Sequence, residues 1–275
     1  MRSVAAAAAT TAATAATGRL YPTFRMATET DTRRIALISD VHGNLPAFQA
    51  VLGAIEDEGV DEIWCLGDLV GYGAHPNECV ELAERSIDLC LIGNHDLVVI
   101  DRLDISDFSA NAATAAEWTK GELSPDARAY LEKLEPQDEQ QGVGLYHASP
   151  RDPVWEYVLS ALAADDCIEE MDARVGAVGH SHVALAFWRK GDMPTAGAQA
   201  EAGAQLDVSS DRWLLNPGSV GQPRDGDPRA SWLLLELGTW QASWRRTDYP
   251  VDDAADAIRM AGLPKQLADR LYYGA

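Results

Sequence analysis

From Arg34 onward the chain alternates short apolar runs with amphipathic stretches, a pattern that leaves few folds open. The run RIALIS (34–39) is apolar almost throughout, as a strand covered on both faces must be. Residues 45–58 then place Leu45, Phe48, Val51, Leu52 and Ile55 on one face at helical spacing. EIWCLG (62–67) and DLCLIG (88–93) repeat the strand signal, with a helix expected from about Pro76 between them. Two more helices are expected within 107–134, the second opening at Ser124-Pro125. The second half is richer in strands: GVGLYH (142–147), RVGAVG (174–179), VALAFWR (183–189), RWLLN (212–216), SWLLLEL (231–237) and WQASWRR (240–246). Helices near 252–261 and 264–272 close the chain. Strands that alternate with helices predict βαβ units, here a two-sheet α/β domain without internal repeats.

Residues 1–31 are of low complexity, mostly alanine and threonine, with no periodicity that could build a core. They are expected to form a disordered tail, leaving one domain over 32–275. No stretch has the roughly 20 strongly apolar residues a bilayer span needs, so no membrane association is expected. The 43 acidic and 22 basic residues give a net charge of −21, which repels long polyanions and excludes a stable nucleic-acid complex. The four cysteines form no CxxC pair, and Cys65 and Cys90 lie in apolar runs; they read as inert core thiols of a reducing, cytoplasmic compartment. Trp188, Trp213, Trp232, Trp240 and Trp244 fall in or beside strands and read as core.

The apolar runs share a second property: each in the first two thirds stops at a polar residue able to bind a metal. Asp40 and His42 follow the first, Asp68 the second, Asn94 and His95 the third, His147 the fourth, and His180 and His182 the fifth. The carboxyl ends of strands in a parallel α/β sheet converge on one crevice, so residues distant in sequence can meet there. Five of the six histidines fall at such ends. In an extended segment residues i and i+2 point the same way, so Asp40 with His42, and His180 with His182, are expected as two-pronged ligands. Glycines beside Asp68 and Asn94 are expected to bend the backbone inward. Imidazole, carboxylate and amide oxygen suit Mn²⁺, Fe²⁺, Zn²⁺ or Ni²⁺ better than Ca²⁺ or Mg²⁺. Seven ligands exceed one tetrahedral site and fit two divalent metal ions sharing a bridge. Taken singly, a DxH or GNHD fragment is as well explained by a helix start or a turn; their order along the chain carries the argument.

With these fragments in place, DVH (40–42), GD (67–68), GNHD (93–96), His147 and GHSH (179–182), the chain resembles the calcineurin-like metallophosphoesterase superfamily over roughly residues 34–248. GYGAHP (71–76), HASPRDP (147–153) and NPGSVGQPR (216–224) look like its small prokaryotic phosphodiesterase branch, related to diadenosine tetraphosphatases. The resemblance implies a four-layer α-β-β-α sandwich of two mixed sheets flanked by helices. It assigns one metal to Asp40, His42, Asp68 and His182 and the other to Asp68, Asn94, His147 and His180, with Asp68 bridging. The GDxVDRG loop of the protein serine/threonine phosphatases is absent, since Gly71 and Tyr72 stand where that loop has its second aspartate and its arginine.

The expected activity is hydrolysis of a small phosphodiester or phosphomonoester by a metal-bridging hydroxide, without a side-chain nucleophile. His95, next to Asn94, is the candidate proton donor to the leaving group. Asp96 either orients His95 or caps the next helix. Arg224 is a candidate phosphate clamp, and Tyr72 and His75, on the loop after Asp68, are candidate substrate contacts. Two other functions stay open at this point: a nucleotide or dinucleoside polyphosphate pyrophosphatase, and a non-catalytic scaffold that keeps the phosphoesterase fold.

Overall fold

The computed structural model describes residues 32–275; the expected tail over 1–31 lies outside them. Twelve strands form two six-stranded mixed sheets. In the first, β3 (Leu89–Cys90), β2 (Glu62–Cys65) and β1 (Arg34–Ile38) run parallel, continued antiparallel by β11 (Ala230–Glu236), β12 (Gln241–Thr247) and β9 (Gln205–Asp207). The second orders β4 (Gln137–Gln140), β5 (Val143–Tyr146), β6 (Val175–Val178), β10 (Arg212–Pro217), β7 (Ala184–Arg189) and β8 (Ala196–Gln199). Within it β5, β6 and β10 are parallel.

Strand β1 shows why the layers stack as they do. Its side chains alternate, so Ile35 and Leu37 enter the core between the sheets while Ala36 and Ile38 face the helical layer. The inter-sheet core joins Trp64, Leu66 and Leu91 to Val143, Leu145, Val175, Ala177 and Leu215, with Trp213 and Trp244 buried among them. Trp232 faces the outer core, and Trp188 and Trp240 pack half-buried at the rim of the inner one. Over the outside of the first sheet lie α1 (Leu45–Glu58), α2 (Pro76–Ser86), α4 (Ala110–Glu122), α5 (Pro125–Leu131), α7 (Val251–Met260) and α8 (Lys265–Asp269). The second sheet is covered by α6 (Ala161–Glu170), through Ala164, Cys167 and Ile168. This is the four-layer α-β-β-α sandwich.

Helix α1 begins and ends where its sequence says it must. The Asn44 side chain accepts from Ala47 N at 3.1 Å, Pro46 occupies the first turn, and Gly59 closes the helix at φ 67°. An N-cap of this kind contributes about 1 kcal/mol. All four cysteines are free thiols, with Cys65 and Cys90 opposite one another on β2 and β3. No helix among the described residues is long and apolar enough to cross a membrane.

Candidate metal centre

The loops that leave β1, β2, β3, β5 and β6 meet in one crevice between the two sheets. Asp40, His42, Asp68, Asn94, His147, His180 and His182 converge there, and none of them is more than 5 % exposed. The backbone bringing them together is not extended. Asp40, His42, Asp68, His180 and His182 all have φ between 50° and 61°. The expected extended i, i+2 geometry is therefore corrected: each residue of the two pairs occupies the left-handed region, which costs of order 1–3 kcal/mol apiece. That strain is held in place by hydrogen bonds, with Asp40 N donating to Gly67 O at 3.0 Å and His42 N to Asp68 O at 2.9 Å. Gly93 also acts differently from expectation. It sits at φ −100°, and its lack of a side chain matters because a Cβ would lie 2.0 Å from Asp68 Oδ1.

The imidazoles are set by their outer nitrogens. His42 Nδ1 lies 3.0 Å from Val70 O, His182 Nδ1 2.7 Å from Gln222 O, and His147 Nδ1 2.8 Å from Leu66 O. A carbonyl can only accept, so each Nδ1 carries the proton and each Nε2 turns a lone pair inward. His42 Nε2 and His182 Nε2 then face each other at 3.0 Å, and His147 Nε2 faces Asn94 Oδ1 at 3.2 Å. The two carboxylates follow the same rule. Asp40 Oδ2 accepts from His180 N at 3.1 Å and Asp68 Oδ1 from His95 N at 2.9 Å. Their other oxygens, Asp40 Oδ1 and Asp68 Oδ2, are buried without a partner, as is His180 Nε2.

Lone pairs aimed at one another inside a protein repel unless a cation lies between them. Asp40 Oδ1 is 3.5 Å from His182 Nε2 and 3.9 Å from His42 Nε2. Asp68 Oδ2 is 3.6 Å from both His42 Nε2 and His147 Nε2. Ligand bonds of about 2.1 Å set neighbouring donors roughly 3.0–3.5 Å apart, so these separations suit coordination of a divalent ion. Three groups have their donor atoms close enough for this: Asp40, His42 and His182; Asp68, His147 and His180; and His42, Asp68 and His95.

Without a cation, burial pushes the Asp40 carboxyl up to about 7 and raises Asp68, where the neighbouring Asp96 adds to the effect. Burial also drives His42, His180 and His182 well below the ordinary histidine range, leaving them neutral and able to ligate.

The match to a calcineurin-like phosphoesterase superfamily domain runs over residues 34–239. The chain belongs to this superfamily. The crystal structure of a metallophosphoesterase from Sphaerobacter thermophilus is 41 % identical, with a TM-score of 0.80 over 89 % of this chain and 100 % of that one. An uncharacterized protein of Methanocaldococcus jannaschii is 37 % identical over 87 % of this chain and 98 % of its own length. A symmetrical bis(5'-nucleosyl)-tetraphosphatase of Pseudomonas putida is 30 % identical over 40 % of each chain.

The remaining candidate residues surround this metallophosphoesterase crevice unevenly. His95, on the short helix α3 (Asn94–Val99), packs between Tyr72 and Phe108, with ring centroids 4.4 and 4.5 Å away. Its Nδ1 is buried without a partner, and a Cβ on Gly71 would come within 2.5 Å of it. The glycine that replaces the protein-phosphatase aspartate thus lets the ring lie directly on the backbone. Arg224 stands over the Tyr72 ring at 5.7 Å. His75 sits at the start of α2 and lines a small cavity that His42 and Tyr72 also border, and it falls in none of the metal-binding groups.

The fragment NPGSVGQPR has a role that sequence reasoning left unassigned beyond Arg224. Asn216 Nδ2 donates to Gly179 O at 2.8 Å and Ser181 Oγ at 3.0 Å, fixing the loop that carries His180 and His182. Ser219 Oγ donates to Asp40 O at 2.8 Å, and Gly221 lies so close to Val41 O that a Cβ would fall 1.9 Å from it. Asn216 ends an apolar run as the metal-site residues do, which was the available signal.

Proposed function

We propose that this chain is a metal-dependent phosphoesterase with a binuclear centre, acting on a small phosphodiester or phosphomonoester. The observation that carries the reading is the placement of Asp68 Oδ2, unpartnered and 3.6 Å from one histidine of each of two ligand groups. Asp40, His42, Asp68 and His182 would hold one ion, and Asp68, Asn94, His147 and His180 the other. Two such ions supply Lewis acidity that polarises a phosphoryl oxygen and makes water nucleophilic near neutral pH. His95 is assigned the proton transfer to the leaving group. Burial, and then the crowding of a second ionisable ring at His42, hold its pKa well below the usual range, so the acid role requires the negative charge of a bound phosphoester beside the ring. A reducing, cytoplasmic setting fits four free thiols, two of them adjacent on paired strands.

A second reading, cleavage of nucleotide or dinucleoside polyphosphates, is favoured by the likeness to the tetraphosphatase of Pseudomonas putida. The test for both is turnover by purified metal-free protein titrated with Mn²⁺, Zn²⁺, Fe²⁺ and Mg²⁺. Bis(p-nitrophenyl) phosphate, its mono-ester and a dinucleoside polyphosphate serve as substrates. Hydrolysis that rises with two bound metals supports the proposal; absence of hydrolysis with every metal overturns it and leaves the scaffold reading.

A further inference from the structure

The chain carries nearly twice as many acids as bases, 43 against 22, yet two arginines beside the crevice form no direct ion pair with an aspartate or glutamate among the described residues, the Arg224 charge reaching Asp40 and Asp68 only across the crevice. Arg224 Nη2 and Arg270 Nη1 both donate to one neutral acceptor, Gln222 Oε1, each at 3.0 Å. Arg270 Nε also donates to Ala275 O, and Arg224 Nε is buried without a partner. Two like charges brought together on a single amide oxygen repel, an arrangement that an anion between them would relieve. Partial burial, and then the Arg224 charge, lower the Arg270 pKa.

Arg270 does not reach this position by chance of a loose terminus. It opens a 3₁₀ turn, Arg270–Tyr272, directly after α8, and Leu267 and Leu271 on either side of it are buried in the outer core. Gly226 N donates to Gly274 O at 2.9 Å, tying this segment to the loop that follows Arg224. The same Gln222 whose side chain receives both arginines receives His182 Nδ1 on its carbonyl. Arg270 and Tyr72 also border an open cleft of about 400 Å³, together with Ser109, Asn111 and Gln266. A cleft of that size is sufficient for a phosphate chain with an attached group.

We propose that Arg224 and Arg270, joined through Gln222, form an anion clamp that takes a second phosphoryl group of the substrate, beside the one at the metal centre. The clamp rests on the phosphoesterase reading and narrows it to esters carrying two or more linked phosphoryl groups. Guanidinium groups suit this task because their paired N–H donors match phosphate oxygens.

The test is calorimetric titration of Mn²⁺-loaded protein with α,β-methylene-ADP, which has two linked phosphorus groups and is not cleaved between them, and with AMP, which has one. Wild-type protein is expected to bind the first at least ten-fold more tightly. Arg270→Gln should erase most of that preference, Arg270→Lys should keep part of it, and Arg85→Gln, which removes an exposed charge from α2 outside the clamp, should keep it all. Equal affinity for the two ligands in wild type, equal weakening of both by Arg270→Gln, or loss of metal from that variant would overturn the clamp, the last by making Arg270 a support for the His182 loop. Turnover of bis(p-nitrophenyl) phosphate by wild type is measured in parallel. Its absence counts against the phosphoesterase reading alone, since the titration still decides the clamp.

Discussion

The Asp96 carboxylate accepts a hydrogen bond from Val70 N at 3.0 Å, across 26 residues of sequence. It also accepts from Gly93 N at 3.0 Å and Leu69 N at 3.3 Å, so one fully buried side chain ties the turn after Asp68 to the turn before Asn94. Of the two roles open to Asp96 in the sequence, capping is the one these bonds describe. Asp96→Ala leaves three buried N–H groups unpaired, each costing about 1–3 kcal/mol. The expected result is a drop in Tm of several degrees with weakened metal binding; differential scanning calorimetry and metal analysis read the two effects. An unchanged Tm would mean that water replaces the carboxylate and that the tie is unimportant.

Asp68 is the residue on which the two-ion proposal depends most. Asp68→Asn removes the anion placed between two groups of imidazole lone pairs, while the shape and the bond to His95 N stay possible. Metal content should fall from about two ions per chain to one or none, and turnover should fall by about 10² or more. A variant that keeps two tightly bound ions at normal turnover would refute the bridging role.

How far the sequence revealed this site differs from element to element. Helix α1 was legible to the residue because Leu45, Phe48, Val51, Leu52 and Ile55 recur at helical spacing, and Phe48, Val51 and Ile55 are the ones it buries. Edge strand β4, QDEQ, was not, because three of its residues are exposed and it has no apolar alternation to read. Helix α3 escaped because six residues buried on every side show no helical periodicity, and α6 because its buried face is only Ala164, Cys167 and Ile168. DLCLIG was expected as a six-residue strand, but only Leu89 and Cys90 pair, since Ile92 N turns to Glu135 O. In the site itself the donors could be read as residue types at strand ends. Their left-handed backbone and the inward direction of Nε2 could not, because the first is held by bonds to Gly67 O and Asp68 O and the second by carbonyls of Val70, Leu66 and Gln222, which only the tertiary fold brings near.

A pH prediction follows from Glu58, which closes α1 and binds Arg34 and Arg245. The bond from Arg245, then that from Arg34, hold its carboxyl below the usual range. A lowered folded-state pKa contributes stability above the ordinary value near 4.5 that is lost as pH falls through the lowered value. The group is about a third exposed, so solvent screening limits this to under about 1 kcal/mol. Glu58→Gln should therefore lower Tm by about 1–4 °C at pH 7 and by progressively less as pH falls below about 4.5 toward the lowered value. A deficit that does not change with pH would assign the effect to packing instead of charge.

His95 can be a proton donor or a ligand, because its ring also falls in a group with His42 and Asp68. The two roles part company in their dependence on the leaving group. Nitrophenolate leaves readily and needs little protonation, whereas an alkoxide needs a proton in the transition state, a contribution of about 10²–10⁴ in rate. If His95 donates that proton, His95→Asn should retain both metals and be slowed far more on an alkyl or nucleoside phosphodiester than on the nitrophenyl ester. Asn94→Ala should instead deplete one ion and slow both substrates alike. Equal slowing of the two esters by His95→Asn, or loss of metal from it, would make His95 a ligand and leave the leaving group to be protonated by water.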